Sequence, residues 1–218
     1  MDITTDITTA TDTDTDTATG ATTGAEQAPL RLAVVIASNR EGRFAPVVAE
    51  WFLARAREHQ GLAIDVLDLA ETELPTTLSH NPSPAVAAQL AVTSPKLADA
   101  DAFVVITPEY NHSFPAPLKN LIDWHYTQWQ AKPVGFVSYG GVSGGLRAVE
   151  QLRQVFAELH AVTVRDGVSF QHVHGLFDEE GEHREPSQAD AAVKKMLDQV
   201  TWWALALRDA KQVRPYAA

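Results

Sequence analysis

The chain has 218 residues, 28 acidic against 17 basic side chains, a formal net charge of −11 and no cysteine. Its length suits one ordinary domain with a substantial core. The lack of cysteine removes disulfides, Cys-ligated zinc, iron–sulfur clusters and thiol nucleophiles, and an acidic balance without clustered Lys and Arg argues against nucleic acid or an anionic membrane as partner.

Residues 1–29 are Thr, Ala and Asp with almost nothing large and apolar to bury, so the composition predicts a disordered tail, with residues 30–218 forming the domain. The tail holds Asp2, Asp6, Asp12, Asp14, Asp16 and Glu26 without a Lys or Arg, which leaves the domain only mildly acidic. The N-terminus lacks the basic and apolar regions of a secretory signal, and runs such as "LAVVIA" and "WWALAL" are too short to span a bilayer. A cytoplasmic protein with no membrane insertion is expected.

From residue 30 onward, apolar β-branched runs alternate with helical spacing. "LRLAVVIA" (30–37) predicts a strand, followed by a helix over 44–60 with Pro46 in its first turn. "LAIDVLDL" (62–69) predicts the second strand, then a helix over 85–99 and a third strand at 101–107. The next helix is predicted to start near Pro117, with Leu118, Leu121, Ile122, His125 and Trp129 on one face. Strand four is predicted at 132–139, a helix at 143–160, strand five at 162–170 and a last helix near 187–210. Five mostly apolar strands separated by helices mean a parallel sheet covered on both faces, and they are too few for an eight-stranded barrel. The expectation is a doubly wound α/β sheet, flavodoxin-like or Rossmann-like, with its ligand at the carboxyl ends of the strands.

Three turns should meet there. "ASNREGRFAP" (37–46) brings Ser38, Asn39, Arg40 and Arg43 to a helix N-terminus, where backbone N–H groups and the helix dipole favour an anion. Neither GxxxxGK[ST] nor GxGxxG is present, so a terminal phosphate monoester suits this turn better than a triphosphate or dinucleotide. In "TPEYNHS" (107–113), Pro108 fixes the turn, Tyr110 can cover a planar ring and Asn111 can bond the polar edge of a heterocycle. "YGGVSGG" (139–145) supplies glycines that let backbone approach a flat ligand.

Together "ASNREGRFAPVVAEW", "TPEYNHSFPAPLKNLIDW" and "VSYGGVSGGLRAVEQLR" resemble the NADPH-dependent FMN reductase family, which includes flavodoxin-like quinone, chromate and azo reductases. The resemblance covers about residues 30–170. It implies a five-stranded flavodoxin-like fold, with the FMN phosphate on Ser38, Arg40, Gly42 and Arg43 beside Phe44. It places Pro108, Glu109, Tyr110 and Asn111 at the isoalloxazine, and Gly140, Gly141 and Ser143 at the far side of the ring. Ala37 stands where the family pattern usually has Gly, and Arg43 where it commonly has Ser. The resemblance further implies hydride transfer from NADPH or NADH to FMN and onward to a small acceptor such as a quinone, azo compound, metal oxyanion or free flavin. It also implies a homodimer or homotetramer, and no side chain acting as nucleophile or general base.

Two other readings start from the same residues. A flavodoxin-like electron carrier or sensor would share the phosphate turn without oxidising NAD(P)H, but such carriers are strongly acidic near the flavin, whereas this turn has two arginines. His172, His174 and His183 with Asp178, Glu179 and Glu180 are the candidate metal ligands; their spacing matches no closed zinc site.

Overall fold

The computed structural model describes residues 28–217; the tail expected over residues 1–29 lies outside the described residues except for its last two. Strands β1 (Leu30–Ile36), β2 (Leu62–Asp68), β3 (Ala102–Pro108) and β4 (Pro133–Tyr139) pair in parallel with β5 (Val162–Thr163) and β6 (Val168–Phe170). The order is β2-β1-β3-β4-β5, with β6 also against β4. That is the flavodoxin-like order, in which the chain reverses direction across the sheet between β1 and β3 and opens a crevice at their carboxyl ends.

Strand periodicity divides the core in two. Leu30, Leu32, Val34 and Ile36 of β1 pack with Val104 and Ile106 against α1 (Ala45–Glu58) and α5 (Pro186–Val213). The alternate residues Ala33 and Val35, with Phe103 and Val105, face α2 (Pro84–Asp99), α3 (Ala116–Trp124) and α4 (Leu146–Glu158). Both faces of β3 and β4 are fully buried, which explains their largely apolar sequence.

Two predicted elements are revised. The helix beginning near Pro117 stops at Trp124, and His125 is extended (φ −134°, ψ 125°) rather than helical. The His125 ring is buried: Nδ1 lies 2.8 Å from Leu121 O, an acceptor, so it carries the proton, and Nε2 accepts from Ser94 Oγ at 3.0 Å. Trp129 still reaches the core, from a separate 3₁₀ turn, against Phe103 and Phe156. The fifth strand is cut into β5 and β6. Between them Arg153 of α4 donates to the carbonyls of Val164 and Arg165 at 2.7 and 3.0 Å. A Cβ on Gly167 would lie 2.9 Å from Phe136 O, so the chain re-enters the sheet on a residue without a side chain.

At the other end of the sheet, Lys132 is buried and donates Nζ to Leu97 O at 2.8 Å and Ala98 O at 2.7 Å. It caps the last turn of α2, where a cation suits the helix dipole. Burial, and secondarily the neighbouring Lys211, pushes the ammonium down from 10.5 to about 8. Between these values the unfolded chain holds a proton that the folded chain has lost, so this group's contribution to stability rises with pH there. The stability of the wild type relative to Lys132→Met should therefore increase between about pH 8 and 10.5, by up to roughly 3 kcal/mol in urea titrations; a flat difference would mean that Lys132 stays charged.

Candidate functional site

The turns after β1, β3, β4 and β6 enclose a cavity of about 720 Å³, within the range of pockets for cofactor-sized ligands. Ten of the twelve predicted site residues line it: Ser38, Arg40, Gly42, Arg43, Phe44, Pro108, Glu109, Tyr110, Gly140 and Gly141. Asn111 and Ser143 do not.

One end is built for an anion. No side chain caps α1 and its first turn carries no acid, so its leading N–H groups remain open. Arg43 N–H donates to Arg40 O at 3.1 Å, closing a tight turn in which Gly42 sits at φ +64°, a conformation that favours glycine. Arg43 is part of the scaffold here. Its guanidinium grips Asp68 at the end of β2 through two bonds of 2.5 and 2.6 Å, and donates to Ser38 O at 2.6 Å. Asp68 balances its charge, leaving Nε and one Nη2 N–H for a ligand. Arg40 is exposed and joins no ion pair among the described residues, so it is the uncompensated cation of this turn.

The other end is held by a carboxylate. Glu109 accepts from Ser143 Oγ at 2.5 Å, from Arg147 N–H at 3.2 Å and from Arg147 Nη1 at 3.0 Å. Burial alone would raise this carboxyl, but the bonds from Ser143 and Arg147 outweigh it and hold the group below the usual Glu range. The N-terminus of α4 thus carries its own anion, whereas that of α1, beside the Arg40 turn, has none. Ser143 acts through Glu109, which explains its place outside the cavity lining.

Asn111 also has a backbone task. Tyr110 and Ser113 exchange hydrogen bonds of 2.9 and 3.0 Å around Asn111 (φ 49°) and His112 (φ 72°), the two positive φ values that a type I′ turn requires. Gln151 of α4 secures the turn, donating to His112 O at 2.8 Å and accepting from Ser113 Oγ at 2.5 Å. The four glycines divide likewise. A Cβ on Gly144 or Gly145 would come within 2.4 Å of Ser169 Oγ or 2.7 Å of Ser138 Cβ, so these two serve the fold. A Cβ on Gly141 would meet nothing within 4 Å, which leaves room for a ligand there, while one on Gly140 would lie in ordinary contact with Gly145 N at 3.5 Å and Glu109 Cβ at 3.7 Å.

Sequence reasoning missed Tyr139 and the segment 172–175 as cavity walls. The His172 and Val173 N–H groups donate to Gly141 O and Gly140 O, and the His174 ring meets Phe44 edge-on at 4.8 Å. The same "QHVHG" stretch drew attention as a metal candidate; among the described residues no group of three or more His, Asp or Glu could hold a metal ion. The donor set does fit a phosphorylated flat heterocycle. It offers an open helix N-terminus and Arg40 at one end and bare glycine backbone at the other, with Tyr139 presenting a buried hydroxyl that has no partner.

The family described as NADPH-dependent FMN reductase matches residues 30–175. The chain is 33% identical over 132 residues to an NAD(P)H-dependent FMN reductase of Schizosaccharomyces pombe, covering 57% of this chain and 64% of that protein. It is 34% identical over 129 residues to an NADPH:quinone oxidoreductase of Arabidopsis thaliana, covering 50% and 66%. The match thus spans slightly less than two thirds of each of these relatives. Among solved structures it is similar to FerB, an NAD(P)H:(acceptor) oxidoreductase from Paracoccus denitrificans, with a TM-score of 0.63 at 21% identity over 80% of this chain and 97% of that one. At that identity the likeness establishes the fold alone.

The Glu109 clamp makes a prediction independent of any ligand. Glu109→Gln, which keeps the shape and removes the charge, should destabilise the protein by about 1–3 kcal/mol at pH 7 in urea unfolding. Because the folded carboxyl titrates below its unfolded value, the stabilisation is complete above the ordinary Glu range and lost as pH falls through the lowered value. Equal stability of the two proteins at pH 7 would show that the clamp contributes nothing.

Proposed function

Because the chain belongs to the NADPH-dependent FMN reductase family, we propose that it is an NAD(P)H-dependent flavin oxidoreductase that carries FMN in the cavity between the four turns and passes electrons to a small acceptor. The observation that carries this reading is the polarity of the cavity, with an uncapped helix N-terminus and unpaired Arg40 at one end and open glycine backbone at the other.

On this reading Ser38, Arg40, Gly42, Arg43 and Phe44 hold the phosphate. Pro108, Glu109, Tyr110 and Asn111 shape one side of the ring slot, and Gly140, Gly141 and Ser143 the other. Bound FMN supplies the hydride and electron chemistry. The chain's own part is to bind and orient. Arg40 and the α1 N–H groups neutralise the phosphate, and the Glu109–Arg147 clamp fixes the spacing of the turns on either side of the ring. No side chain of the cavity is assigned a nucleophilic or general-base role.

A relative named NADPH:quinone oxidoreductase in Arabidopsis thaliana and a 2-hydroxy-1,4-benzoquinone reductase in a Burkholderia species support a quinone-type acceptor; azo compounds, metal oxyanions and free flavin are the other small acceptors. The reading includes a cytoplasmic homodimer or homotetramer. Exposed Val142 and Leu146, beside the glycine turn, are the apolar surface such an assembly would cover near the flavin. No helix of the described residues is long and apolar enough to cross a membrane.

The test is an anaerobic absorption spectrum of FMN-loaded, desalted protein before and after one equivalent of NADPH, with Arg40→Ala alongside. Flavin should stay bound and bleach rapidly. Arg40→Ala should weaken FMN binding about tenfold or more, the worth of one charge-assisted contact, without moving the unfolding midpoint of the apoprotein. Retained flavin that does not bleach would make the protein a carrier or sensor, and no FMN binding would end the reading altogether.

A further inference from the structure

Tyr139 closes β4, and its ring packs in the core between the sheet and the α1–α5 layer while it also lines the cavity. The residue is 5% exposed and its hydroxyl has no hydrogen-bond partner. Among the described residues, the other buried side-chain atoms in this condition are Trp51 Nε1, Trp129 Nε1 and Thr201 Oγ1, none of which borders the cavity. An unpaired buried hydroxyl is costly, and the cost is borne here beside the turn that carries Arg40.

Its surroundings point to what would satisfy it. Ser38 and Tyr110 are its hydroxyl neighbours. Ser38 Oγ and Tyr110 Oη share one bond of 2.6 Å, and the Ser38 hydroxyl forms no bond of normal geometry with Tyr139. Burial, then the nearby Tyr110, drives the Tyr139 phenol far above its ordinary value, so it is a neutral O–H donor at any working pH. Three O–H donors therefore converge where only one hydrogen bond exists. A neutral ligand hydroxyl would add a further donor. An oxyanion brings acceptors alone and satisfies all three donors at once.

We propose that Tyr139 is an additional ligand of the phosphate group, its hydroxyl donating together with Ser38 and Tyr110 to one face of the phosphate while Arg40 and the α1 N–H groups take the other. The inference rests on the FMN reading of the cavity and deepens it. The phosphate oxygen enters between Ser38 and Tyr110 and replaces their mutual bond. This assigns selection of the phosphorylated flavin over riboflavin partly to a residue of the fourth strand, outside the first turn.

The test titrates wild-type and Tyr139→Phe apoproteins with FMN and with riboflavin, following flavin fluorescence, and records thermal melts without ligand. Tyr139→Phe should melt at or above the wild-type temperature, because the unpaired hydroxyl is gone. It should bind FMN about tenfold more weakly and riboflavin within twofold of wild type. Tyr110→Phe, the second variant, keeps the Tyr139 donor and should lose less FMN affinity than Tyr139→Phe. FMN affinity within twofold of wild type in Tyr139→Phe would overturn the proposal. So would an equal loss for FMN and riboflavin, which would mark a packing role. A wild type that binds FMN and riboflavin equally would overturn the phosphate assignment while leaving the flavin reading intact. A wild type that binds neither would remove both.

Discussion

The carboxylate of Glu109 is the contact on which the rest of the site depends. It belongs to the turn after β3, yet all three of its bonds come from the turn after β4 and the start of α4. Two loops that the sheet merely brings near one another become one rigid wall. The carboxylate also supplies the negative charge that the N-terminus of α4 would otherwise seek from a ligand. With that end satisfied internally, the anion-seeking pole of the cavity is the turn at the start of α1.

The same economy governs the cations. Arg43 looks from its position like a phosphate ligand, and two of its N–H groups remain free to be one. Its charge, however, is balanced by Asp68 in a bidentate pair in which both side chains are 17% exposed. Leaving Asp68 would give up two charge-assisted bonds to gain one on a ligand. Arg43 therefore stays on Asp68 and shapes the turn, and the free positive charge comes from Arg40. Asp68 in turn accepts from Ala70 N–H at 3.0 Å, so the first turn and the end of β2 are set together.

The sheet was legible in sequence because β1, β3 and β4 are almost wholly buried and read as largely apolar runs. What escaped was decided by tertiary contacts. The helix stops at Trp124 where His125 turns out of it, its ring donating to Leu121 O four residues back and accepting from Ser94 of α2 across the core. The fifth strand breaks around Asp166 and Gly167, where only a residue without a side chain passes Phe136 O and where Arg153 of α4 captures the carbonyls of Val164 and Arg165. In the site, the anion turn and the open glycines were readable because a helix N-terminus and a missing Cβ act through their own backbone. Asp68, Tyr139 and His172 were not, since their importance lies in what the fold brings beside them. Asn111 and Ser143 were found by motif, but the contacts they make in the described structure support the turns and do not line the cavity.

Departures from local preference show where the fold accepts a cost. Among the described residues, five other than glycine have positive φ. Two of them, Ala131 and His160, are joined by a 3.0 Å backbone bond that secures the chain between α4 and β5. The remaining three, Asn111, His112 and His172, stand on turns around the cavity, where Tyr139 also carries its unpaired hydroxyl. A fold selected for stability alone would gain by relieving each: glycine at the turns, phenylalanine at the end of β4. Their grouping at one crevice places the cost where shape and donors face the cavity, and marks it as the candidate site on grounds independent of sequence family.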